Sequence, residues 1–392
     1  LVTYLVQQSD PVYPLASPTV NSAIGYSCVR VITRGEDKSI QEEYCYYNQQ
    51  EKVNRRFVGL PGEQIYTNGK LKSYRMYNGN ELEQNTEYEY RSDTVAILNA
   101  WFQDYCNFGE ITAYHVPIEH CRLEQETQTT YDHTHRSENT KTTTYTYNSS
   151  NYQPSEVSVY DGLQGKTVRT TYSVDLKDQT PYSEMCDNVN NRVSLPIETR
   201  SYKNGDLVQK ELHTYKKNTK SGNFVPDAVY NYYLGSEQTA SDFNGSNLSQ
   251  YGLPDYTLSG YDKYDNITEV KSRTGESEVY IWGYNGQYVI ARIVNATRSL
   301  IESHGIGSLD SFASGAEPSE ADWNKLNALR NSLPQCMVYT YKYEPMVGLI
   351  ETTDPKGMTL YYEYDAKGRL TIERDNNRNM IRSYRYTQKN ER

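Results

Sequence analysis

A turn motif that returns about every ten residues, the length of one strand plus one tight turn, most constrains the fold of this chain. Residues 364–370 read YDAKGRL and residues 261–267 read YDKYDNI, so Asp265 takes the place of Gly368. A related turn, DPKG, precedes the first copy, and another, DNNR, follows it. The spacing predicts a series of antiparallel β-hairpins.

Each position of the turn has its own predicted role. An Asp at the first position accepts hydrogen bonds from the backbone amides that follow it. A Gly three positions later takes the left-handed conformation that ends a type I turn with a bulge, and Asp or Asn is tolerated there. Arg378 in that position is a departure that predicts local strain. The predicted structural turn residues are Asp262, Asp354, Gly357, Asp365, Gly368 and Asp375.

We expect tyrosine to provide most of the apolar area of this chain. It accounts for 40 of the 392 residues, and each ring can be buried while its hydroxyl finds a partner. Between turns the tyrosines recur two residues apart, which places them on one face of a strand. This periodic stripe is structural first, and part of it is a candidate ligand-binding surface. The candidate residues are Tyr280, Trp282, Tyr284, Tyr339, Tyr341, Tyr343, Tyr362 and Tyr364.

One segment interrupts the repeats. Ser319 as N-cap, Asp322 at the third helical position and Pro334 beyond the end predict a helix. We interpret the segment as a two-helix insertion that packs on the sheet or covers an exposed edge. The predicted divisions are degenerate β-repeats at 1–110, central Tyr-Asp repeats at 111–294, the helical insertion at 295–333 and C-terminal repeats at 334–392.

The cysteine pattern contains no CxxC pair of the kind found in zinc or redox sites. If the stretch ITRGEDKS is a hairpin turn centred between Glu36 and Asp37, Cys28 lies directly across from Cys45. A cross-strand disulfide is then geometrically possible and would suit an oxidising compartment, while two free, half-buried thiols are the alternative.

The turn motif resembles that of the RHS/YD-repeat proteins, which are named for the Tyr-Asp dipeptide. Residues 255–386, which include VYIWGYNGQYVIARIVNAT and the stretch through YYEYDAKGRLTIERDNN, are similar to RHS-repeat proteins of the Bacteroidetes cell envelope. The resemblance implies an all-β fold of repeated antiparallel hairpins, wound into a long, twisted or spiralling sheet that is open or partly closed into a shell. It also implies export to the periplasm, the outer-membrane surface or the outside of the cell.

The search for catalytic chemistry nominates no residues. No GxSxG, HExxH, Walker or GxGxxG motif occurs, and no carboxylate pair stands out by its spacing. His133 and His135 would share one strand face as a two-point metal chelate, but plain surface histidines are the simpler interpretation. We therefore predict no metal, no cofactor and no enzymatic activity. A hydrolase or lyase hidden in the β-scaffold is the alternative.

Charge and hydropathy limit the partners. The net charge of −10 argues against a general nucleic-acid or anionic-membrane surface. No apolar stretch approaches the roughly 18 residues of a transmembrane helix. The leading hypothesis is a non-enzymatic exported surface scaffold that binds cell-surface or dietary polysaccharide through tyrosine-lined strands, since a flat ring can stack on a sugar. The alternative is a shell component of a toxin-delivery system with an effector or toxin as its partner.

Overall fold

Antiparallel strands make up most of the structure. The computed structural model describes residues 26–34, 39–49, 65–104, 110–233, 242–315 and 317–386. In chain order, the strands of the described residues are β1 (Cys28–Arg34), β2 (Ser39–Tyr46), β3 (Leu71–Asn78), β4 (Glu81–Asp104), β5 (Glu110–Asp132), β6 (Ser137–Tyr147), β7 (Pro154–Tyr160), β8 (Gly165–Tyr172), β9 (Pro196–Lys203), β10 (Asp206–Lys217), β11 (Phe224–Tyr233), β12 (Tyr256–Tyr261), β13 (Ile267–Ser272), β14 (Ser277–Gly283), β15 (Tyr288–Val294), β16 (Met337–Glu344), β17 (Gly348–Thr353), β18 (Thr359–Tyr364), β19 (Leu370–Arg374) and β20 (Met380–Ser383).

The chain divides into two compact units. The first comprises Leu1–Thr170 and Arg200–Val208, and the second comprises Thr171–Thr199 and Gln209–Arg392. In the first unit, β1 to β8 pair in chain order, and each pairing is antiparallel. In the second, β10 to β20 do the same. The predicted all-β fold of antiparallel hairpins is confirmed.

The four sequence divisions describe repeat character and stay a prediction. The predicted division at 110 falls at the first residue of β5, inside the β4–β5 hairpin. The pairing of that hairpin extends from Gln84 opposite Thr130 to Asp104 opposite Glu110, with two register shifts on the way.

The hairpin turns have the geometry that their residues dictate. Asp365 Oδ1 accepts hydrogen bonds from the amides of Lys367 at 2.9 Å and Arg369 at 3.0 Å. Gly368 takes a φ of 71° and donates its amide to the Asp365 carbonyl at 2.9 Å. The same two-amide pattern occurs at Asp262, Asp354 and Asp375.

The glycine position is left-handed even where another residue fills it. Gly357 has a φ of 81°, Asp265 one of 67° and Arg378 one of 64°. A side chain in this region costs roughly 1–2 kcal/mol relative to glycine. The Arg378 guanidinium lies 3.3 Å from the centroid of the Tyr361 ring, a cation–π contact that offsets part of that cost.

The described residues of the predicted insertion, 295–333, form helices and turns, but only the second predicted helix is long. It forms α4 (Glu320–Ser332), and the capping box of Ser319 and Asp322 is present at its start. The first predicted helix is reduced to α2 (Arg298–Ile301), a π-type turn (Glu302–Ile306) and α3 (Asp310–Ala313), because Gly305 at a φ of 80° interrupts it. Another short helix, α1 (Tyr182–Met185), lies before β9, and short 3-10 turns occupy Ser173–Leu176 and Leu248–Tyr251. Within the described residues, none of the helices has the length and apolarity that crossing a membrane requires.

Among the described residues, two apolar clusters form the core of the second unit. The larger packs the α4 side chains Trp323, Leu326 and Leu329 against Ile281 and Val338 of the sheet. The helical insertion therefore covers one side of the sheet in this region, as predicted. The smaller cluster gathers apolar residues of β9, β10 and β11, including Ile197, Leu212, Phe224 and Ala228, with the rings of Tyr182, Tyr230, Phe243 and Tyr251.

Candidate functional site

A polar aromatic surface lies on the side of β14–β16 that the helices do not cover. Alternation along β14 turns Val279 and Ile281 into the core and Tyr280 to the opposite side. Tyr280 pairs directly across with Arg292 of β15, and Arg292 pairs with Tyr339 of β16. We name this surface the tyrosine face; its residues are Glu278, Tyr280, Arg292, Tyr339 and Tyr341.

A charged pair is set among these rings. The Arg292 guanidinium donates to both oxygens of Glu278, with Nη2 to Oε1 at 2.7 Å and Nε to Oε2 at 2.9 Å. The Tyr280 hydroxyl donates to the same carboxylate at 2.7 Å. The Arg292 guanidinium carbon also lies 5.8 Å from the Tyr339 ring centroid, within cation–π range. The face thus combines apolar area with a fixed ion pair.

The ionisation states of the face follow from these contacts. Hydrogen bonding to Arg292 lowers the pKa of Glu278 below its ordinary value. Burial, with a smaller effect of Glu278, raises the pKa of Tyr280, and burial raises that of Tyr341. At neutral pH the hydroxyls of Tyr280 and Tyr341 are therefore neutral and can both donate and accept hydrogen bonds.

The structure does not bring all eight candidate residues together on this face. Tyr284 follows the end of β14 at a φ of 53° and is only 2% exposed. Its ring packs edge-on against Tyr288 and Tyr343, and its hydroxyl donates to the Tyr343 carbonyl at 2.8 Å. Tyr343 is stacked on Tyr288 with centroids 4.7 Å apart. Tyr284 departs from the predicted stripe because the chain leaves its strand before reaching it.

The polar side-chain atoms of Trp282 and Tyr364 are engaged in hydrogen bonds to backbone carbonyls. Trp282 Nε1 donates to the Ile267 carbonyl, and the Tyr364 hydroxyl donates to the Leu349 carbonyl, each at 2.8 Å. Tyr362, which completes the candidate set, is half-buried on β18 opposite Glu373.

These bonds belong to a device that recurs along the chain. On the first strand of each such hairpin, the register shifts just before the last aromatic residue. The residue paired with that aromatic residue lies on the second strand. Its backbone carbonyl accepts a hydrogen bond from an aromatic side chain of the next hairpin. Tyr261 lies across from Ile267, which Trp282 binds, and Tyr343 lies across from Leu349, which Tyr364 binds. The arrangement occurs twice more. Tyr90 lies across from Leu123, whose carbonyl accepts from the Tyr147 hydroxyl at 2.7 Å. Tyr215 lies across from Pro226, whose carbonyl accepts from the Tyr261 hydroxyl at 2.7 Å.

The physical reason for this device lies in the bulge itself. A β-bulge takes backbone groups out of the ladder, and a carbonyl shielded from water needs another donor. A tyrosine hydroxyl or an indole N–H on the next strand supplies that donor. The aromatic residues near the turns therefore join consecutive hairpins, and they are not available to hold a ligand through their polar atoms.

The predicted cysteine and histidine positions are also resolved. Cys28 and Cys45 are opposite each other in the β1–β2 register and are joined by a disulfide. The stretch containing His133 and His135 is a turn, in which His135 binds Asp132 and His133 Nε2 lies 2.8 Å from the Leu82 carbonyl oxygen. Their side chains therefore do not form the two-point chelate of a strand face.

One group with metal-ligand atoms does occur in this region. Glu81, Glu83 and His133 bring ligand atoms within 4.8 Å of one another among the described residues. The group is largely exposed at the start of β4, and the His133 ring is already engaged by a backbone carbonyl.

Sequence reasoning missed the charged members of the tyrosine face. Glu278 and Arg292 lie on neighbouring strands that meet in the YIWGYNGQYV hairpin. A register shift between Ile281 and Trp282 pairs Arg292 with Tyr280, whereas counting back from the turn would have paired Tyr280 with Ala291. Sequence reasoning also missed a buried pair, Glu198 and Lys210, because no periodic signal marks a charged side chain that points into a core.

Comparison with known proteins gives likenesses of fold at very low identity. No family model matches the sequence, and no curated protein does. A crystal structure of TcdB2-TccC3-TEV matches with 9% identity and a TM-score of 0.49, over 90% of this chain and 20% of that chain. A crystal structure of TcdB2-TccC3 without its hypervariable C-terminal region matches with 10% identity and a TM-score of 0.48, over 86% and 19%.

A structure of the Photorhabdus luminescens Tc holotoxin pore matches with 10% identity and a TM-score of 0.45, over 88% of this chain and 19% of that chain. The chain thus spans about a fifth of the length of the structures it matches. At these TM-scores and identities the likenesses assign neither a family nor an activity.

Proposed function

We propose that this chain is a non-enzymatic structural segment of an exported RHS-type protein, and that its sheet is part of a wall that shields a separate effector polypeptide. The single observation that carries the proposal is the tyrosine face, which spreads over neighbouring strands of the second unit. Its half-buried rings and its Glu278–Arg292 pair offer apolar area, hydrogen-bonding hydroxyls and both charges. Such a surface suits the mixed chemistry of a polypeptide.

The repeat design supports the scaffold part of the proposal. Each hairpin satisfies its own turn through an Asp carboxylate and bonds to the next through an aromatic donor. Hairpins built in this way extend a sheet without needing a large leucine-rich core. The Cys28–Cys45 disulfide supports export, because disulfides persist in oxidising compartments.

Polysaccharide binding is the competing outcome for the same surface. A sugar stacks on an open ring face, whereas Tyr280, Tyr339 and Tyr341 are each half-buried. The Tyr280 hydroxyl is also already bonded to Glu278. The polypeptide is therefore the partner we favour.

The test is protection from proteolysis. The chain is coexpressed with the polypeptide encoded next to it, and the mixture is digested with a broad-specificity protease. We expect the wild-type chain to protect that polypeptide, and the triple variant Tyr280→Ala, Tyr339→Ala, Tyr341→Ala to lose most of the protection.

A matched control replaces three exposed tyrosines outside the face. Tyr160, Tyr256 and Tyr264 are 56%, 52% and 44% exposed, and their triple alanine variant should protect as the wild type does. Equal behaviour of the two variants, no protection by the wild type, or a locus without an effector-type neighbour would overturn the proposal. Specific binding to a polysaccharide array that the face variant abolishes would replace it with the sugar-binding function.

A further inference from the structure

The β4–β5 hairpin of the first unit extends beyond the strands that flank it. In the part of the chain that the structure describes, β3 pairs with β4 only as far as Ser73 opposite Glu87. Within the same residues, β6 pairs with β5 only as far as Thr144 opposite Gln125. The two long strands go on pairing with each other to the end of the hairpin. Residues 94–104 and 110–118 thus form a two-stranded ribbon, which we name the arm.

Neither face of β4 is covered at residues 94–99, which are exposed one after another. Consecutive side chains of a strand point to opposite faces, so Ile97 and Leu98 lie on different faces, and they are 59% and 52% exposed. Ile118 of β5, paired with Ala96, is exposed as well. Contiguous exposed apolar residues of this kind mark a surface that another molecule covers.

The central part of the arm carries no Asp, Glu, Lys or Arg on either strand. Residues 94–103 read TVAILNAWFQ and residues 111–118 read ITAYHVPI, in a chain of which 23% is charged. Natural sheets protect an exposed edge with lysine, with proline or by keeping the strand short. Pro117 protects β5, since it has no N–H, and its carbonyl accepts a hydrogen bond from the Tyr66 hydroxyl. Strand β4 has neither lysine nor proline over 94–103, so nothing in its sequence prevents a further strand from pairing there.

We propose that the arm joins two copies of this chain, with residues 94–103 of β4 paired antiparallel to the same residues of a second copy. An antiparallel strand edge is complementary to itself about a two-fold axis, the commonest symmetry of a homodimer. The pairing gives cross-strand apolar neighbours to Ile97 on one face and to Leu98 on the other. It also turns a two-stranded ribbon, which is marginally stable in water, into a four-stranded sheet.

Charge favours a second copy over a different partner. Two chains with a net charge of −10 repel each other, so copies meet best through a surface without acidic side chains. A basic partner would be matched by acidic residues on the arm and an acidic partner by basic ones, and the stretches 94–103 and 111–118 contain neither. The arm shares no residue with the tyrosine face, so this interface goes beyond the proposed shielding function.

Analytical ultracentrifugation of the full chain, under conditions that prevent intermolecular disulfides, tests the proposal. We expect the wild type to form a dimer and the double variant Ile97→Lys, Leu98→Lys to remain a monomer over the same concentrations. The lysines place like charges against those of the second copy on both faces, which should weaken association by about 100-fold or more. Both replaced side chains are exposed in the single chain, so the circular dichroism spectrum of the variant should match that of the wild type.

The matched control replaces two exposed leucines outside the arm. The double variant Leu163→Lys, Leu253→Lys adds the same charge at side chains that are 88% and 71% exposed, and it should remain a dimer. Hydrogen exchange at the amides of residues 94–103 should be slower in the wild-type dimer than in the arm variant.

A wild type that is monomeric at about 100 μM, where even a micromolar dimer is largely formed, would overturn the proposal. So would a dimer that the arm variant keeps, or one that the control variant loses equally. A monomeric wild type that binds neutral lipid vesicles through the arm would assign this surface to a membrane instead.

Discussion

The hydrogen bonds from aromatic residues to bulge carbonyls should carry measurable stability. The double variant Tyr261→Phe, Tyr364→Phe removes two of them in the second unit while keeping both rings. The Tyr261 hydroxyl donates to Pro226 at 2.7 Å and the Tyr364 hydroxyl to Leu349 at 2.8 Å. No apolar contact is lost, so the change isolates the hydroxyl groups.

The expected magnitude follows from the surroundings of each carbonyl. A net hydrogen bond contributes about 0.5–1.5 kcal/mol, and a carbonyl left unsatisfied without water costs about 1–3 kcal/mol. Pro226 is exposed, so water can replace the Tyr261 hydroxyl there, whereas Leu349 is half-buried. We expect about 1 kcal/mol at Tyr261 and somewhat more at Tyr364, and near-additive effects because the two sites share no partners.

Urea unfolding followed by circular dichroism measures the sum, and calorimetry should show a midpoint lower by about 4–8 °C, given about 2–4 °C per kcal/mol for a unit of this size. The matched control, Tyr256→Phe with Tyr264→Phe, alters tyrosines that are 52% and 44% exposed and should shift the transition by less than the error. If both double variants unfold alike, the aromatic donors do not join the hairpins, and the reasoning fails.

Three further predictions concern the turns and the insertion. Hydrogen bonding to Arg369 lowers the pKa of Asp365 from its ordinary 3.8 to about 2, so the stability contributed by this turn is full above about pH 4 and is lost as the pH falls towards 2. NMR titration should show Arg369→Ala returning this pKa towards its ordinary value. Met346→Gly should stabilise by about 1 kcal/mol in urea unfolding, because Met346 has a φ of 66° and is 97% exposed. Leu326→Ala should destabilise by about 2–5 kcal/mol in the same assay, since the Leu326 side chain is fully buried between α4 and the sheet, whereas exposed Asn324→Ala should change little.

Local chemistry explains why the turns could be predicted from the sequence. An Asp that accepts two amides and a left-handed residue three positions later involve only five consecutive residues, so the sequence alone specifies them. The same holds for α4, where Ser319 and Asp322 satisfy each other's backbone amides across one helical turn. Arg378 shows that the turn imposes its backbone conformation even on a residue that resists it.

The candidate site was less accessible to such reasoning. A spacing of two residues predicts a shared face only while a strand continues, and Tyr284 lies beyond the end of its strand. The groups to which Trp282 and Tyr364 are bonded lie on other strands, at positions set by register shifts that the sequence does not mark. The predicted stripe therefore contains residues with two different roles.

By itself, the sequence determined the antiparallel hairpins, their corners and the tyrosine content of their strands, because each depends on contacts between near neighbours in the chain. Only the tertiary structure decided which rings face the helices, which donate to a distant carbonyl and which remain on the tyrosine face. It alone also placed Lys210 beside Glu198 and Asp242, because burial of charged groups depends on strand pairing and on a loop that returns from far along the chain.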